Sequence, residues 1–307
     1  MSTEHPCSIV IPTYGRDAVL TDTVRSLLRL DPPAAELIVV DQSTQHTADV
    51  ERQLGAWHAA GAIRWQRLQR PSTVEAMNAG LLSAGSPVVL FLDDDIVPAP
   101  SLFRGHVEAY ARHAEAWAVV GQVLQPGETP CANGRRGPRA GLRADFEFKF
   151  CASEATWVFN VMAGNLSVRR DRALFLGGFD GNFTPPVAYR FETEFARRLI
   201  AAGGRIWFEP SASIRHLRAP SGGTRSHGSH LTSASPVHGV GDYYYALRCG
   251  RGLERAAYMA RRPFREVRTR FHLRHPWWIP VKFVGELRAL ALAMKLYRQG
   301  PKLLSKC

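Results

Sequence analysis

The chain has 307 residues, 45% of them hydrophobic, which is enough for one large domain or a domain with an appendage and too apolar for wholesale disorder. No run of 18 uncharged apolar residues occurs, so no transmembrane helix is expected. The net charge of +12 is concentrated: residues 250–307 hold 14 Lys+Arg against 3 Asp+Glu, while the rest of the chain is balanced at 25 against 24. The basic character therefore belongs to the C-terminal segment, and such a surface favours phosphates, in nucleic acid or on anionic lipid. The N-terminus, MSTEHPCSIVIPTYGR, has neither a basic n-region nor an apolar h-region, so no secretory signal is read there. Five scattered cysteines without a CxxC fit reduced thiols and a cytoplasmic protein better than a disulfide framework or a zinc site.

In chain order, SIVIP (8–12) reads as a strand. Apolar residues at helical spacing predict a helix over 17–30. ELIVVDQST (36–44) is a second strand ending in a polar cluster. A helix follows over 49–60, then a weaker strand over 63–68. The spacing predicts a helix over 73–84, with Ser72 as N-cap and Gly85 as its stop. PVVLFLD (87–93) is the fourth strand. This alternation argues for a parallel α/β sheet, and near-continuous apolar strands argue that both faces are covered. Further on come a helix (101–115), a strand (117–124) and a Gly/Pro/Arg-rich loop (125–145). A strand over 156–169 is interrupted at Gly164. Residues 174–183 read as a turn region, 191–202 as a helix and RIWFEP as a strand. The last part, from HPWW onward, has amphipathic helical spacing.

In open parallel sheets, ligands bind outside the carboxyl ends of the strands. Those ends carry PTYGR, DQST and DDD, so one site at one edge is the economical reading. There is no GxGxxG after the first strand and no GxxxxGK[ST], hence no dinucleotide fingerprint and no P-loop. Asp93 and Asp95, one residue apart at a strand end, point the same way. Oxygen ligands so placed suit Mg²⁺ or Mn²⁺ shared with substrate phosphates; an exposed acidic turn capping the next helix is the competing reading. Glu192 and Glu194 open a helix, where the dipole favours carboxylates and where one could also act as a general base. His216 follows a strand and could be structural or a ligand.

The ordered set SIVIPTYGR, ELIVVDQST, FLDDD, AGNLSVRR, GGFD, RFETEFARRLIAAGG and FEPSASIRHL resembles the family 2 glycosyltransferases over about residues 7–225. The resemblance implies a GT-A-type (Rossmann-like) mostly parallel central sheet flanked by helices. Here that catalytic domain would span 1–240, with a donor half over about 1–100 and an acceptor half over about 101–240. A basic helical extension would follow over 241–307. It implies a nucleotide-sugar donor, a divalent metal cofactor (Mn²⁺ or Mg²⁺) and an inverting single displacement onto an acceptor hydroxyl. Pro12, Thr13, Tyr14 and Arg16 would line the nucleotide pocket, and Asp41 would contact the nucleobase, leaning toward a UDP-sugar. Asn78, together with Gly164 and Asn165, would border the donor. Asp93 and Asp95 match the D-x-D pair: Asp95 and His216 would hold the metal, Asp93 would face ribose or a metal-bound water, and Asp94 would turn into a hydrogen bond at the donor site. Arg225 would reach the diphosphate from a loop that closes, unless that loop is only a solvated linker.

One departure stands out. The family carries Glu-Asp before this helix, with the Asp as base. Alignment back from Arg198 and Gly203 puts Glu192 at the Asp position and Phe191 at the Glu position. Glu192 is therefore the expected base, with Glu194 as its substitute or support. The acceptor is expected to be a saccharide, a lipid-linked or a small molecule. Trp277, Trp278 and the surrounding Arg and Lys suggest contact of 250–307 with an anionic membrane surface on the cytoplasmic side. The alternative is a helix packed on the catalytic domain. No nucleic acid partner is expected. Two other readings compete: a sugar nucleotidyltransferase, disfavoured by the single Gly in PTYGRD, and a non-enzymatic basic lipid- or nucleic-acid-binding module, which would leave the carboxylates and His216 unexplained.

Overall fold

The structure is a computed structural model, and it describes residues 6–132, 141–143, 146–187, 189–223 and 229–305. The first half follows the expected alternation: β1 (Cys7–Thr13), α1 (Asp17–Leu27), β2 (Glu36–Asp41), α2 (Ala48–Ala59), β3 (Arg64–Arg67), α3 (Thr73–Ser83) and β4 (Val88–Leu92). Ser72 caps α3 by accepting from the Glu75 N–H at 3.2 Å. The order β3-β2-β1-β4 is parallel throughout.

Beyond β4 the sheet changes character. It continues through β5 (Ile96–Pro98), α4 (Leu102–Arg112), β6 (Ala116–Leu124), β7 (Thr156–Val158) and β8 (Asn165–Arg169) to α5 (Arg170–Phe175), α6 (Phe191–Ala201) and β9 (Arg205–His216). The full order is β3-β2-β1-β4-β8-β6-β9-β5, with β7 on β9. β8 runs antiparallel to both β4 and β6, so the sheet is mixed rather than parallel in its second half. Two sequence expectations are corrected here, and one strand is new. The strand read across 156–169 is two strands parted by a turn at Gly164. Part of the 174–183 turn is the end of α5. The short β5 carries too few residues to announce itself.

Side chains alternate across the sheet. In β4, Val88, Leu90 and Leu92 join the core under α1, α2 and α4, whereas Val89 and Phe91 join the core under α3 and α6. Both faces are thus covered, and burial of a residue such as Phe91 contributes about 1.5–3 kcal/mol.

The C-terminal part is four helices: α7 (Val240–Cys249), α8 (Gly252–Val267), α9 (Arg270–Arg274) and α10 (Trp278–Gln299). Tyr243 and Tyr244 of α7 and Ala289 and Ala293 of α10 enter the same core as α3 and α6. The last turn of chain docks as well: Leu304 N–H donates to Gly177 O, and Gly181 N–H to Lys302 O, each at 2.8 Å. The C-terminal helices are therefore packed on the sheet and its helices. Among the described residues, no helix is long and apolar enough to cross a membrane. Cys131 and Cys151, distant in sequence, lie with their sulfurs 2.8 Å apart.

Candidate active site

The carboxyl ends of β1 and β4 open on a recess of about 210 Å³. It is lined by Pro12, Thr13, Tyr14, Arg16, Asp93, Asp94, Gly164, Glu192 and His216, among others. The sheet register explains this convergence. Leu92 pairs with Asn165, which places Gly164 opposite Asp93. A Cβ at Gly164 would collide with the Asp93 carboxylate, so only glycine lets the two strand ends approach. Ile96 pairs with His216, and Leu217 N–H donates to Asp95 O at 2.8 Å. This carries the imidazole from the far end of a 12-residue strand to the acidic triplet.

Asp93, Asp95 and His216 offer ligand atoms within 4.8 Å of one another. His216 Nε2 lies 3.1 Å from Asp95 Oδ1 and 3.7 Å from Asp93 Oδ2. Metal–ligand distances near 2.1 Å in an octahedron put neighbouring ligands about 3 Å apart, so this spacing suits a small divalent cation. His216 Nδ1 meets Gln125 Oε1 at 3.0 Å. With a cation bound, a proton on Nδ1 would leave the Nε2 lone pair to the metal, the arrangement seen around metal-bound histidines. Asp95 Oδ1 is buried and makes no well-directed hydrogen bond, although Arg16 Nη1 is 2.9 Å away. His216 Nε2 is also 3.1 Å from it, so its charge is met by neighbours without a directed hydrogen bond, and a ligand can complete it. The residues present therefore fit a divalent cation.

The three aspartates are not equivalent. Asp94 accepts from Thr13 Oγ1 at 2.6 Å and from Arg16 Nη1 at 2.7 Å. Asp95 is held below the usual carboxylate range: burial opposes this, but His216, the Ala219 N–H and Arg16 outweigh it. Asp93 is pushed up to about 6 by desolvation, with Asp94 and Asp95 adding to the rise against the pull of His216. Its side chain is half exposed and lines the recess.

Glu192, in the first turn of α6, has its Oε1 anchored by the Ala163 N–H at 2.7 Å. Burial raises its pKa to about 7, and the nearby Asp93 charge contributes. That is a value suited to a general base near neutrality. Glu194 is turned the other way. It is fully buried and ion-paired with Arg198 at 2.7 Å, which leaves it unable to substitute for Glu192.

Three expected donor contacts are not brought to the recess. Asp41 is fully buried, and its carboxylate already accepts from the Ser43 N–H, Trp65 Nε1 and His46. Asn78 clamps the Phe179 backbone, giving Nδ2 to its carbonyl and taking its N–H on Oδ1, each at 2.8 Å. Asn165 is fully buried, tying Gln122 O and Ala212 O to His106. Arg225 lies outside the described residues. The loop before it docks on the recess instead: Gly223 N–H donates to Tyr14 O at 2.8 Å, and Arg16 Nε to Ser221 O at 3.2 Å. Gln42, Met77, Met162 and Ala163 also line the recess. As apolar side chains, backbone donors or an isolated amide, they carry no sequence signal.

Known proteins share this architecture. Residues 5–227 match the family described as Glycosyltransferase like family 2. The validoxylamine A glucosyltransferase of Streptomyces hygroscopicus subsp. limoneus is 34% identical over 119 residues, 37% of this chain and 26% of that protein. The match thus spans about a quarter of the curated relative. The crystal structure of GalNAc-T7 with UDP, GalNAc and Mn²⁺ superposes with a TM-score of 0.57 at 16% identity, covering 80% of this chain and 50% of that one. The mannosyltransferase PcManGT from Pyrobaculum calidifontis, in complex with GDP-Man and Mn²⁺, gives 0.52 at 18% identity, over 97% and 80%. The fold is that of the GT-A glycosyltransferases, and the chain belongs to glycosyltransferase family 2.

Proposed function

We propose that the protein transfers a sugar from a nucleoside-diphosphate sugar to an acceptor hydroxyl, with inversion at the anomeric carbon and with a divalent cation, Mn²⁺ or Mg²⁺. The observation that carries this reading is the placing of an under-satisfied Asp93–Asp95–His216 cluster and an anchored, high-pKa Glu192 in one recess. Asp95, His216 and Asp93 would hold the cation, whose charge would stabilise the departing diphosphate. Glu192 takes the acceptor hydroxyl proton on the carboxylate oxygen not engaged by Ala163. The acceptor oxygen forms the new bond to the anomeric carbon as the bond to the diphosphate breaks. Arg16, now between Asp94 and Asp95, must turn outward for the cation to reach Asp95 Oδ1. That movement would carry its guanidinium toward the diphosphate.

UDP is the first donor to test and GDP the second, because the structural neighbours hold UDP and GDP-Man. Asp41 does not favour UDP over GDP, since its carboxylate is committed to protein donors. The recess is smaller than the roughly 300–1,000 Å³ usual for ligand pockets. Donor entry therefore requires the 217–223 segment to lift from Tyr14. Residues 1–240 would form the catalytic domain and 241–307 its extension, with a saccharide, lipid-linked or small-molecule acceptor. The exposed Leu253, Phe264, Leu273, Trp277 and Leu287 lie among the extension's arginines and suit an anionic membrane surface on the cytoplasmic side.

The test is a panel of nucleotide-sugars with Mn²⁺, Mg²⁺ or chelator, followed by nucleoside diphosphate release and by the anomeric configuration of the product. Release that persists in chelator rejects the metal role, and a retained anomer rejects the single displacement. Co-sedimentation with anionic and neutral vesicles tests the membrane reading; equal recovery from both rejects it.

A further inference from the structure

We propose that Arg190 and Asp242 are positioning residues for the catalytic base, so that the C-terminal helices are part of the catalytic unit. The inference rests on the reading of Glu192 as that base.

Arg190 stands immediately before α6, two residues ahead of Glu192, with φ at +75°. Residues with a Cβ avoid this left-handed region, and such a conformation persists only where the surroundings hold it. What holds it is Asp242 of the C-terminal helix α7 on one side and Phe146 on the other. Arg190 Nε donates to Asp242 Oδ1 of α7 at 2.6 Å, and its guanidinium lies 4.2 Å from the Phe146 ring centroid. Tyr189, one residue earlier, donates its hydroxyl to His238 O at 2.6 Å.

Asp242 is itself immobilised. It is buried, and α8 aims three donors at it: Tyr258 OH at 3.1 Å, Arg265 Nη2 at 3.2 Å and Arg262 Nη1. The anchor therefore runs from α8 through Asp242 to Arg190. From there it passes into the first turn of α6, where Glu194 N–H already bonds to Arg190 O at 2.9 Å. Among the described residues, the Glu192 side chain has one hydrogen bond, from the Ala163 N–H. A change at Arg190 rotates the start of the helix and swings the free Glu192 oxygen away from the acceptor. Arg190 does not line the recess, so its effect is on the chemical step and not on donor contacts.

The experiment uses the full chain and compares Arg190→Ala, Arg190→Gly and Arg190→Lys with Glu192→Gln in parallel. Turnover is read with UDP-glucose and Mn²⁺, or with the donor that replaces it in the panel above. Binding is read by calorimetry with the corresponding nucleoside diphosphate and Mn²⁺. Arg190→Ala is expected to lower kcat by about tenfold to a hundredfold, the scale of a misplacement near 1 Å. Nucleoside diphosphate affinity should stay within about twofold of wild type, because the recess is untouched. Arg190→Lys, which keeps a cation for Asp242, should recover most of the loss. Arg190→Gly, which relieves the backbone but breaks the link from α6 to Asp242, should not. Should the Ala variant fail to fold, Arg190→Gln is read by the same criteria. Wild-type kcat in Arg190→Ala beside an inactive Glu192→Gln overturns the inference while the base reading stands. Full recovery by Arg190→Gly overturns it too, since backbone relief alone would then suffice. Turnover retained by Glu192→Gln overturns the base reading itself.

Discussion

Two buried acidic centres in this molecule meet their charge in opposite ways. At the recess, three consecutive carboxylates share one guanidinium and one imidazole, and Asp95 Oδ1 is left without a directed donor. Under α8, Asp242 receives three arginines and a tyrosine, and Arg262 is shared with the buried Glu286 at 3.0 Å and with Glu266 at 3.3 Å. The contrast separates a binding site from a joint. A centre with surplus negative charge is complete only when a cation or cationic ligand arrives. A centre with surplus positive donors is complete in the folded protein and locks the elements that contribute to it. Asp242 accordingly lies below the usual carboxylate range: burial opposes this, but Arg262 and Arg190 prevail. Asp93 lies above that range.

The largest expected effect is at the base. Glu192→Gln keeps the shape and the Ala163 contact but cannot take a proton, and turnover should fall by about a hundredfold to ten-thousandfold. Nucleoside diphosphate binding with Mn²⁺ should persist. The same residue sets a pH limb. A base must be deprotonated, so kcat/KM should fall about tenfold per unit as pH drops below the Glu192 value. That value is about 7 without the cation. Cation charge near Asp93 favours the ionised base, so the limb in the metal-bound enzyme should lie at or below that pH. A limb at higher pH would count against Glu192.

Next is the metal corner. Asp95→Asn removes the charge that faces His216 and should weaken Mn²⁺-dependent nucleotide binding by at least about tenfold to a hundredfold, the scale of losses at metal sites. Calorimetry with Mn²⁺ and without it separates this from a general loss of affinity. Equal affinity in both conditions for the wild type would remove the cation from the corner.

The comparison itself is broken or sharpened by stability. Asp242→Asn should destabilise by about 1–3 kcal/mol, because Arg190, Arg262 and Arg265 lose a charged acceptor while Glu286 and Glu266 still face Arg262. Asp93→Asn should do the reverse in the metal-free protein. Its folded pKa, about 6, is raised above the unfolded value. Ionisation therefore costs stability as pH rises through that window, and the cost remains at neutral pH. The amide variant should melt slightly higher than wild type at pH 7 and match it near pH 3. Parallel melts of the two variants decide the matter, and a loss in both would erase the distinction between the centres.

Much of this was legible from residue order. The donor half is a run of apolar strands with punctuated helices, and the clusters PTYGR, DDD, FETEF and IRH converge because strand ends and register bring them there. Misplaced roles share one cause. Asp41, Asn78 and Asn165 are polar residues at strand or helix ends, and sequence does not distinguish one that faces a ligand from one that satisfies buried backbone or another side chain. Asp242 was hidden for the opposite reason: one Asp before YYY has no pattern, and its partners come from residues 190, 258, 262 and 265. The mixed half of the sheet was hard to read because β5 and β7 have only three residues each.

The smallest effect on catalysis should come from Glu194, and it tests whether two carboxylates in one helical turn are truly divided in role. Residues two apart on a helix face different directions. Glu192 looks into the recess, whereas Glu194 looks into the core and holds Arg198. Arg198 in turn donates to Leu176 O at 2.7 Å and Gly178 O at 2.8 Å, fixing the turn that precedes α6. Burial raises the Glu194 pKa and Arg198 opposes that rise. Glu194→Gln preserves the hydrogen bond but not the charge. Turnover per folded molecule should stay within about threefold, since no transition-state contact is lost. A loss of kcat as deep as that of Glu192→Gln, with an unchanged melt, would move the base from Glu192 to Glu194.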